Sequence, residues 1–244
     1  MAESVDIRFK KRMEGPESVL VNDFLSVYKK NNSTIHKTFT IFTEPFTGSG
    51  FPDLVIVLWD DIQIQKWHPE RNNLRNIDLK ILHHMMSNRH GYTLKNLQEQ
   101  LGYSNKKLEC SLEKLSAASL VRHLKNDTFR VCSKNDAFYV KSIIAIEAKI
   151  KNWKSAFIQA ETNFWFASES YVLLPGESLR NSIINKAAES PAGLLSYCNN
   201  NYDVISKSER RSMPVSYCSW IFNEYIGKNV FAGNGVGDGS FEIF

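Results

Sequence analysis

From Leu54 to Trp59 every residue is apolar, and a Pro52-Asp53 step introduces the run. Successive strand side chains point to opposite sides, so an uninterrupted apolar strand requires a sheet that is covered on both faces. Residues 137–148 (AFYVKSIIAIEA) return to the same character and end on Glu147-Ala148-Lys149. A third stretch, Thr38 to Phe42, alternates β-branched and aromatic residues and is set off from the first by the turn-like Thr47-Gly48-Ser49-Gly50. The chain must therefore supply helices for two sheet faces.

Residues 17–30 place Val19, Leu20, Phe24, Leu25 and Tyr28 at helical spacing behind Pro16, which predicts an amphipathic helix. Further helices are expected over about 153–167, 177–188 and 216–226, with strands at 170–174, 193–197 and 202–206 between them. That alternation gives an α/β fold, a mixed sheet flanked by helices. From Ile77 the period changes. Helices are expected at 78–87, at 93–101 with Thr93 as N-cap and Gly102 as stop, and at 105–119 after Ser104. A hairpin over 120–131 turning at Lys125-Asn126-Asp127 follows, and three helices closed by a hairpin is the order of a winged helix-turn-helix domain. The expected layout is a core in two parts, 1–76 and 134–232, an inserted module at 77–133, and a flexible glycine-rich tail at 233–244.

With 244 residues, 43% hydrophobic, the chain is long enough for a substantial core, and its net charge of +4 permits a polyanionic partner without demanding one. The four cysteines at 110, 132, 198 and 218 lack C-x-x-C spacing, which argues against a structural zinc site or a disulfide framework and for reduced thiols. The first residues are acidic where a secretory signal is basic, and no apolar run reaches the roughly 20 residues that span a bilayer. These features point to a cytoplasmic protein with no membrane partner.

Asp53 opens a buried strand, where a carboxylate is costly unless it meets a cation. Glu147 and Lys149 lie two apart, so strand alternation predicts that they share a face while Ala148 enters the core. Two such acids can hold Mg²⁺, with Mn²⁺ as the alternative, and Lys149 can orient the attacking water and neutralise a scissile phosphate. With these residues the chain resembles the PD-(D/E)xK nuclease superfamily, of restriction-endonuclease-like fold, over residues 14–60 and 138 to about 206. The resemblance implies metal-dependent hydrolysis of DNA, with Asp53 and Glu147 as metal ligands and Lys149 as catalytic base or orienting group. It also implies an acid from the first helix, Glu17 ahead of Glu14, and a polar residue on the helix after the motif, Gln159. The departure from the family is the separation, 147 − 53 = 94 positions, which a self-contained insert with adjacent ends would accommodate.

A winged helix places its third helix in the major groove and its hairpin on the backbone or minor groove. Asn105, Lys106, Lys107 and Lys114 on that helix, with Arg122, Lys125 and Arg130 on the hairpin, are the candidate contacts to DNA, most naturally double-stranded; Ser111 and His123 stand beside them. Glu109 and Glu113 dilute the helix's charge, so docking of a partner protein stays open. His83-His84 suit packing better than ligation, and Trp153 and Trp165 read as core residues. Lys151, Lys154, Arg180 and Arg210-Arg211 are solvated cations or a phosphate track. The expected function is a Mg²⁺-dependent deoxyribonuclease whose winged helix engages or gates the substrate, with a homodimer for double-strand cleavage; the resemblance implies bacterial defence, mobile-element or DNA-repair work as its setting. The alternative is a non-catalytic DNA-binding regulator or an interaction subunit on the same scaffold.

Overall fold

The computed structural model describes residues 5–11, 14–32, 38–88, 90–232 and, for the backbone, 240–243. In chain order its elements are α1 (Pro16–Asn32), β1 (Phe39–Thr43), β2 (Leu54–Trp59), α2 (Asn76–Met85), β3 (Tyr92–Thr93), α3 (Leu94–Leu101), α4 (Asn105–Ala117), β4 (Val121–His123), β5 (Thr128–Val131) and α5 (Lys134–Ala137). Then come β6 (Val140–Ala148), α6 (Trp153–Thr162), β7 (Glu169–Pro175), α7 (Asn181–Glu189), β8 (Gly193–Cys198), β9 (Asn201–Ser206), α8 (Tyr217–Phe231) and β10 (Ser240–Ile243). Among the described residues no helix is long and apolar enough to cross a membrane.

The chain divides into two compact units. A sheet unit comprises Arg8–Trp59, Val140–Pro214 and Gly235–Phe244; a helical unit comprises Met1–Ile7, Asp60–Tyr139 and Val215–Asn234. The sheet unit is built on seven strands in the order β10-β1-β2-β6-β7-β8-β9. The β6–β7 and β7–β8 pairs are parallel and β1–β2 and β2–β6 antiparallel, so the sheet is mixed. On one face α1 buries Leu20, Val21, Phe24 and Leu25 against Ile41, Leu54, Ile56, Ile146 and Leu173. On the other, α6 and α7 bury Ala156, Phe157, Ala160, Ile183 and Ala187 against Val172, Leu174 and Leu194. Two covered faces are why β2 carries no polar residue.

The last strand differs from the sequence reading. Ser240–Ile243 pairs in parallel with β1, whereas the glycine-rich composition predicts a flexible tail over 233–244; residues 233–239 of that tail lie outside the described residues. A four-residue strand carries too little pattern to announce itself, and its backbone pairing with β1 defines it.

In the helical unit, α2, α3 and α4 accompany a three-stranded sheet of order β3-β5-β4. Thr93 caps α3 by accepting from the Asn96 amide (3.2 Å), and Gly102 ends it in the left-handed conformation at φ 66°. Ser104 is at the N-cap of α4 but makes no capping bond through its side chain. The unit is larger than the 77–133 module read from the sequence, because residues 60–76 and α8 belong to it. Trp220, Phe222 and Ile226 of α8 are fully buried. The Arg71 guanidinium forms a bidentate pair with Glu224 and also donates to the Tyr139 hydroxyl (2.9 Å) and the Ala137 carbonyl (2.8 Å). Both charges are sealed from solvent, so this pairing fixes α8 to the unit although 153 positions separate the partners. Gly227 permits that packing. A Cβ there would stand 1.8 Å from the Trp67 ring.

The excursion 60–139 leaves the sheet after Trp59 and returns at Val140, and those two residues are paired across β2 and β6. The long separation of the two half-motifs is thereby bridged inside the sheet.

Candidate active site

Leu54 pairs with Ile146 at the end of the β2–β6 ladder, so one further step along the antiparallel register sets Asp53 opposite Glu147. Asp53 Oδ2 accepts the backbone N–H of Ala148 at 2.7 Å, a bond that ties the carboxylate to the adjoining strand just beyond the ladder. The loop before it is fixed too. The Thr47 amide and hydroxyl both donate to the Gly50 carbonyl (3.0 and 3.1 Å), and the Trp165 indole N–H donates to Ser49 Oγ at 2.7 Å.

Glu147 is only 4% exposed, and its Oε1 accepts from the Asn163 side-chain amide at 2.8 Å. Burial pushes its carboxyl up from 4.5 to about 7; the Asn163 bond and Lys149 oppose the rise, and the Asp53 charge adds to it. No sequence signal marks Asn163 for this part. Gln159, the predicted supporting residue, is solvent-exposed on α6 and makes no hydrogen bond to Glu147. The cause is helical phase. Ala156, Phe157 and Ala160 face the sheet, and the next position on that side is Asn163 in the 3₁₀ turn that ends the helix.

Lys149 lies one residue past β6, so strand alternation does not govern it. Its ammonium donates to the Ala148 carbonyl (3.0 Å) and is 3.4 Å from Glu17 Oε2 and 3.6 Å from Asp53 Oδ2. Glu147 is turned instead to Asn163, so the two side chains have different partners and the expectation of a shared face is corrected. Burial works against the ammonium, but Asp53, Glu17 and Glu147 outweigh it and hold Lys149 above the ordinary lysine range. Burial also raises Asp53 against the pull of Lys149 and the Ala148 amide, with Glu17 and Glu44 contributing. Both partners of one ion pair thus move upward. Asp53 and Glu17 share the one ammonium, which keeps the cation charged, while burial is what lifts the Asp53 carboxyl.

Lys149, Asp53 and Glu17 line a cleft of about 480 Å³ together with Glu14, Lys10, Glu44 and Lys151; Glu147 does not line it. Glu44 caps β1 in the left-handed region at φ 48°, and its carboxylate pairs with Lys10 at 3.3 Å. Neither Glu44 nor Lys10 carries a sequence signal, since a charged residue after a strand is ordinary.

Among the described residues no three His, Cys, Asp or Glu side chains are grouped to hold a metal ion. The oxygen chemistry nonetheless suits a hard divalent cation. Asp53 and Glu147 are each hydrogen-bonded through a single oxygen, which leaves the other available, and burial, the main cause of their raised pKa values, makes either charge costly without a cation beside it.

In the helical unit, Asn105, Lys106, Lys107, Arg122, Lys125 and Arg130 are exposed. Arg122 and Arg130 sit directly opposite each other on β4 and β5, a like-charge pairing that costs stability in the absence of an anion. His123 stacks on Phe129 (4.5 Å). Lys114 is half-buried, its ammonium 3.9 Å from buried Asp78, to which Ser111 Oγ also donates at 2.6 Å. Ser111 lies on the inner face with Leu108, Leu112 and Leu115. His83 and His84 bond to the Val215 carbonyl (3.1 Å) and Gln100 Oε1 (2.8 Å). In the sheet unit Trp153 packs edge-on against Phe157, whereas Trp165, expected in the core, is 39% exposed. No family profile, curated protein or solved structure matches the chain.

Proposed function

We propose that this protein is a divalent-metal-dependent nuclease of the PD-(D/E)xK type, acting on phosphodiester bonds of DNA, with its three-helix, three-stranded module serving as a winged helix that engages substrate. The observation that carries this reading is the Lys149 ammonium held between Asp53 and Glu17 at a cleft, with Asp53 in register opposite Glu147. The β1-β2-β6-β7 order, with α6 linking the parallel pair β6–β7, supports a restriction-endonuclease-like core. Asp53 and Glu147 would hold Mg²⁺ or Mn²⁺, and the ion when bound supplies Lewis-acid stabilisation of charge on the phosphoryl oxygens. Lys149 stays cationic, which suits it to orient a water against phosphorus and to neutralise charge as the P–O bond breaks. Asn163 holds the Glu147 carboxyl in place, and Glu17 limits the swing of Lys149.

The exposed Arg122–Arg130 pair and Lys106 give the helical module its claim to nucleic acid. Docking of a partner protein is the second reading for that module, favoured by exposed Glu109 and Glu113 on the outer face of α4. The decisive experiment incubates the chain with plasmid, linear duplex, single-stranded DNA and RNA, with and without Mg²⁺ or Mn²⁺. Cleavage confined to the metal-containing reactions is expected, with Asp53→Asn and Lys149→Ala each slower by at least about a hundredfold. Full activity in either folded variant overturns the catalytic assignment. Tight duplex binding with no cleavage of any substrate would instead identify a regulator.

A further inference from the structure

Among the described residues of the sheet unit, Phe51 and Trp165 are the large aromatic side chains left most open to solvent, at 41% and 39%. Both belong to the segments that build the candidate site. Phe51 is two residues before Asp53, and Trp165 is two residues after Asn163. The loop between them is stiffened from both sides. The Trp165 indole N–H is spent on Ser49 Oγ at 2.7 Å, and its six-membered ring lies 3.8 Å from where a Cβ on Gly48 would project. Behind it Phe166 is fully buried and meets the indole edge-on at 5.4 Å. Phe51 rests against Phe46 (centroids 5.1 Å apart), and the Arg8 guanidinium carbon is 4.4 Å above the Phe46 ring. The Phe46 N–H donates to the Arg8 carbonyl at 2.7 Å, so the cation is carried by backbone pairing and not by a free tail.

A purely apolar surface makes no use of the Arg8 charge beside these rings. A chain of flat rings on a polyanionic backbone does, because stacking uses the ring faces while the guanidinium meets phosphate or stacks in turn. Bases in a duplex have their faces covered by neighbours; only unpaired bases can present a face to a side chain. We infer that Phe51, Trp165 and the Arg8–Phe46 pair form a stacking platform for unpaired nucleotides, so that the substrate bound beside Asp53 is single-stranded or carries a single-stranded segment. The inference rests on the nuclease reading for naming that nucleic acid a substrate, but not for the binding itself.

The test measures fluorescence anisotropy of labelled 20-nucleotide oligo(dT), oligo(U) and a duplex of equal length on the full chain in EDTA. Tighter binding of single strands than of duplex is expected. Phe51→Leu, which keeps apolar bulk but removes the ring, and Trp165→Ala should each weaken single-strand binding about tenfold. Phe51→Trp and Trp165→Phe should stay within about threefold of the parent, the second showing that the ring and not the Ser49 bond is responsible. A preference for oligo(dT) or oligo(U) names DNA or RNA as the source of the rings and upholds the platform either way. Single-strand binding that is absent, or unchanged in Phe51→Leu, overturns it. Because EDTA prevents cleavage, a chain that binds single strands but cuts none of the DNA or RNA substrates with Mg²⁺ or Mn²⁺ would sink the nuclease reading and leave the platform standing.

Discussion

Replacing Glu147 by Gln should make the metal-free protein more stable at alkaline pH. The Glu147 carboxyl is buried, receives one hydrogen bond from Asn163, and has its pKa raised from 4.5 to about 7. A difference of that size amounts to roughly 3 kcal/mol at about 1.4 kcal/mol per pH unit. Below pH 4.5 the group is neutral in both folded and unfolded chains and costs nothing. Between 4.5 and 7 the folded chain binds the proton more tightly than the unfolded one, so stability falls as pH rises, and above 7 the full penalty applies. In Glu147→Gln the new side-chain amide can keep the Asn163 bond through its oxygen and has no charge to bury. Urea titrations in EDTA at intervals from pH 4.5 to 8.5 should therefore give curves that coincide at the acid end. They should separate to roughly 1–3 kcal/mol at the alkaline end, with the variant the more stable. Millimolar Mg²⁺ should then stabilise the parent and not the variant, through ligand-linked mass action. A variant less stable than the parent at pH 8, or a difference independent of pH, would refute the idea that this carboxyl is held at a cost.

Asn163→Leu should lower metal-dependent cleavage by at least about tenfold, since it removes the one donor that orients a buried carboxylate, whereas Gln159→Ala should match the parent in the same assay. Arg122→Ser combined with Arg130→Ser should weaken duplex binding and flatten the plot of log affinity against log salt by roughly 2, because two phosphate contacts are lost. The same double substitution should slightly raise thermal stability by relieving the cross-strand repulsion. Gly227→Ala should cost about 1–3 kcal/mol in urea denaturation, as overpacking at a closed contact does, and an unchanged midpoint would show that Trp67 has room to move.

Local pattern is informative where local physics decides. The apolar run of β2 and the AFYVKSIIAIEA stretch of β6 announce strands covered on both faces. Thr93 and Gly102 mark the ends of α3 because a hydroxyl cap and a left-handed glycine act within a few residues. The pairing of Asp53 with the neighbourhood of Glu147 follows from the same two strands. What escapes depends on partners far along the chain or on the angular phase of an element. Residues 60–76 and α8 join the helical unit through Arg71 and Glu224, and no periodicity connects those positions. Gln159 and Asn163 are four apart, but a turn of 3₁₀ geometry after Thr162 decides which reaches Glu147 and rotates Trp165 outward. Lys114 counts as a surface cation in sequence, yet one buried acid, Asp78, draws it inward.

The closure of the helical unit by α8 bears on how the polypeptide emerges during synthesis. Trp220, Phe222, Glu224 and Ile226 are among the last described residues to be made, and until they appear Arg71 has no counter-charge and its neighbours no cover. By then β6 through β9 are already available to pair. The helical unit, begun early, is thus the one that must wait, its core held open across translation of four of the sheet's seven strands, β6 through β9. A nascent chain stalled before Val215 would present a paired sheet and an unsealed aromatic pocket, which is the form of this protein that a chaperone would have reason to hold.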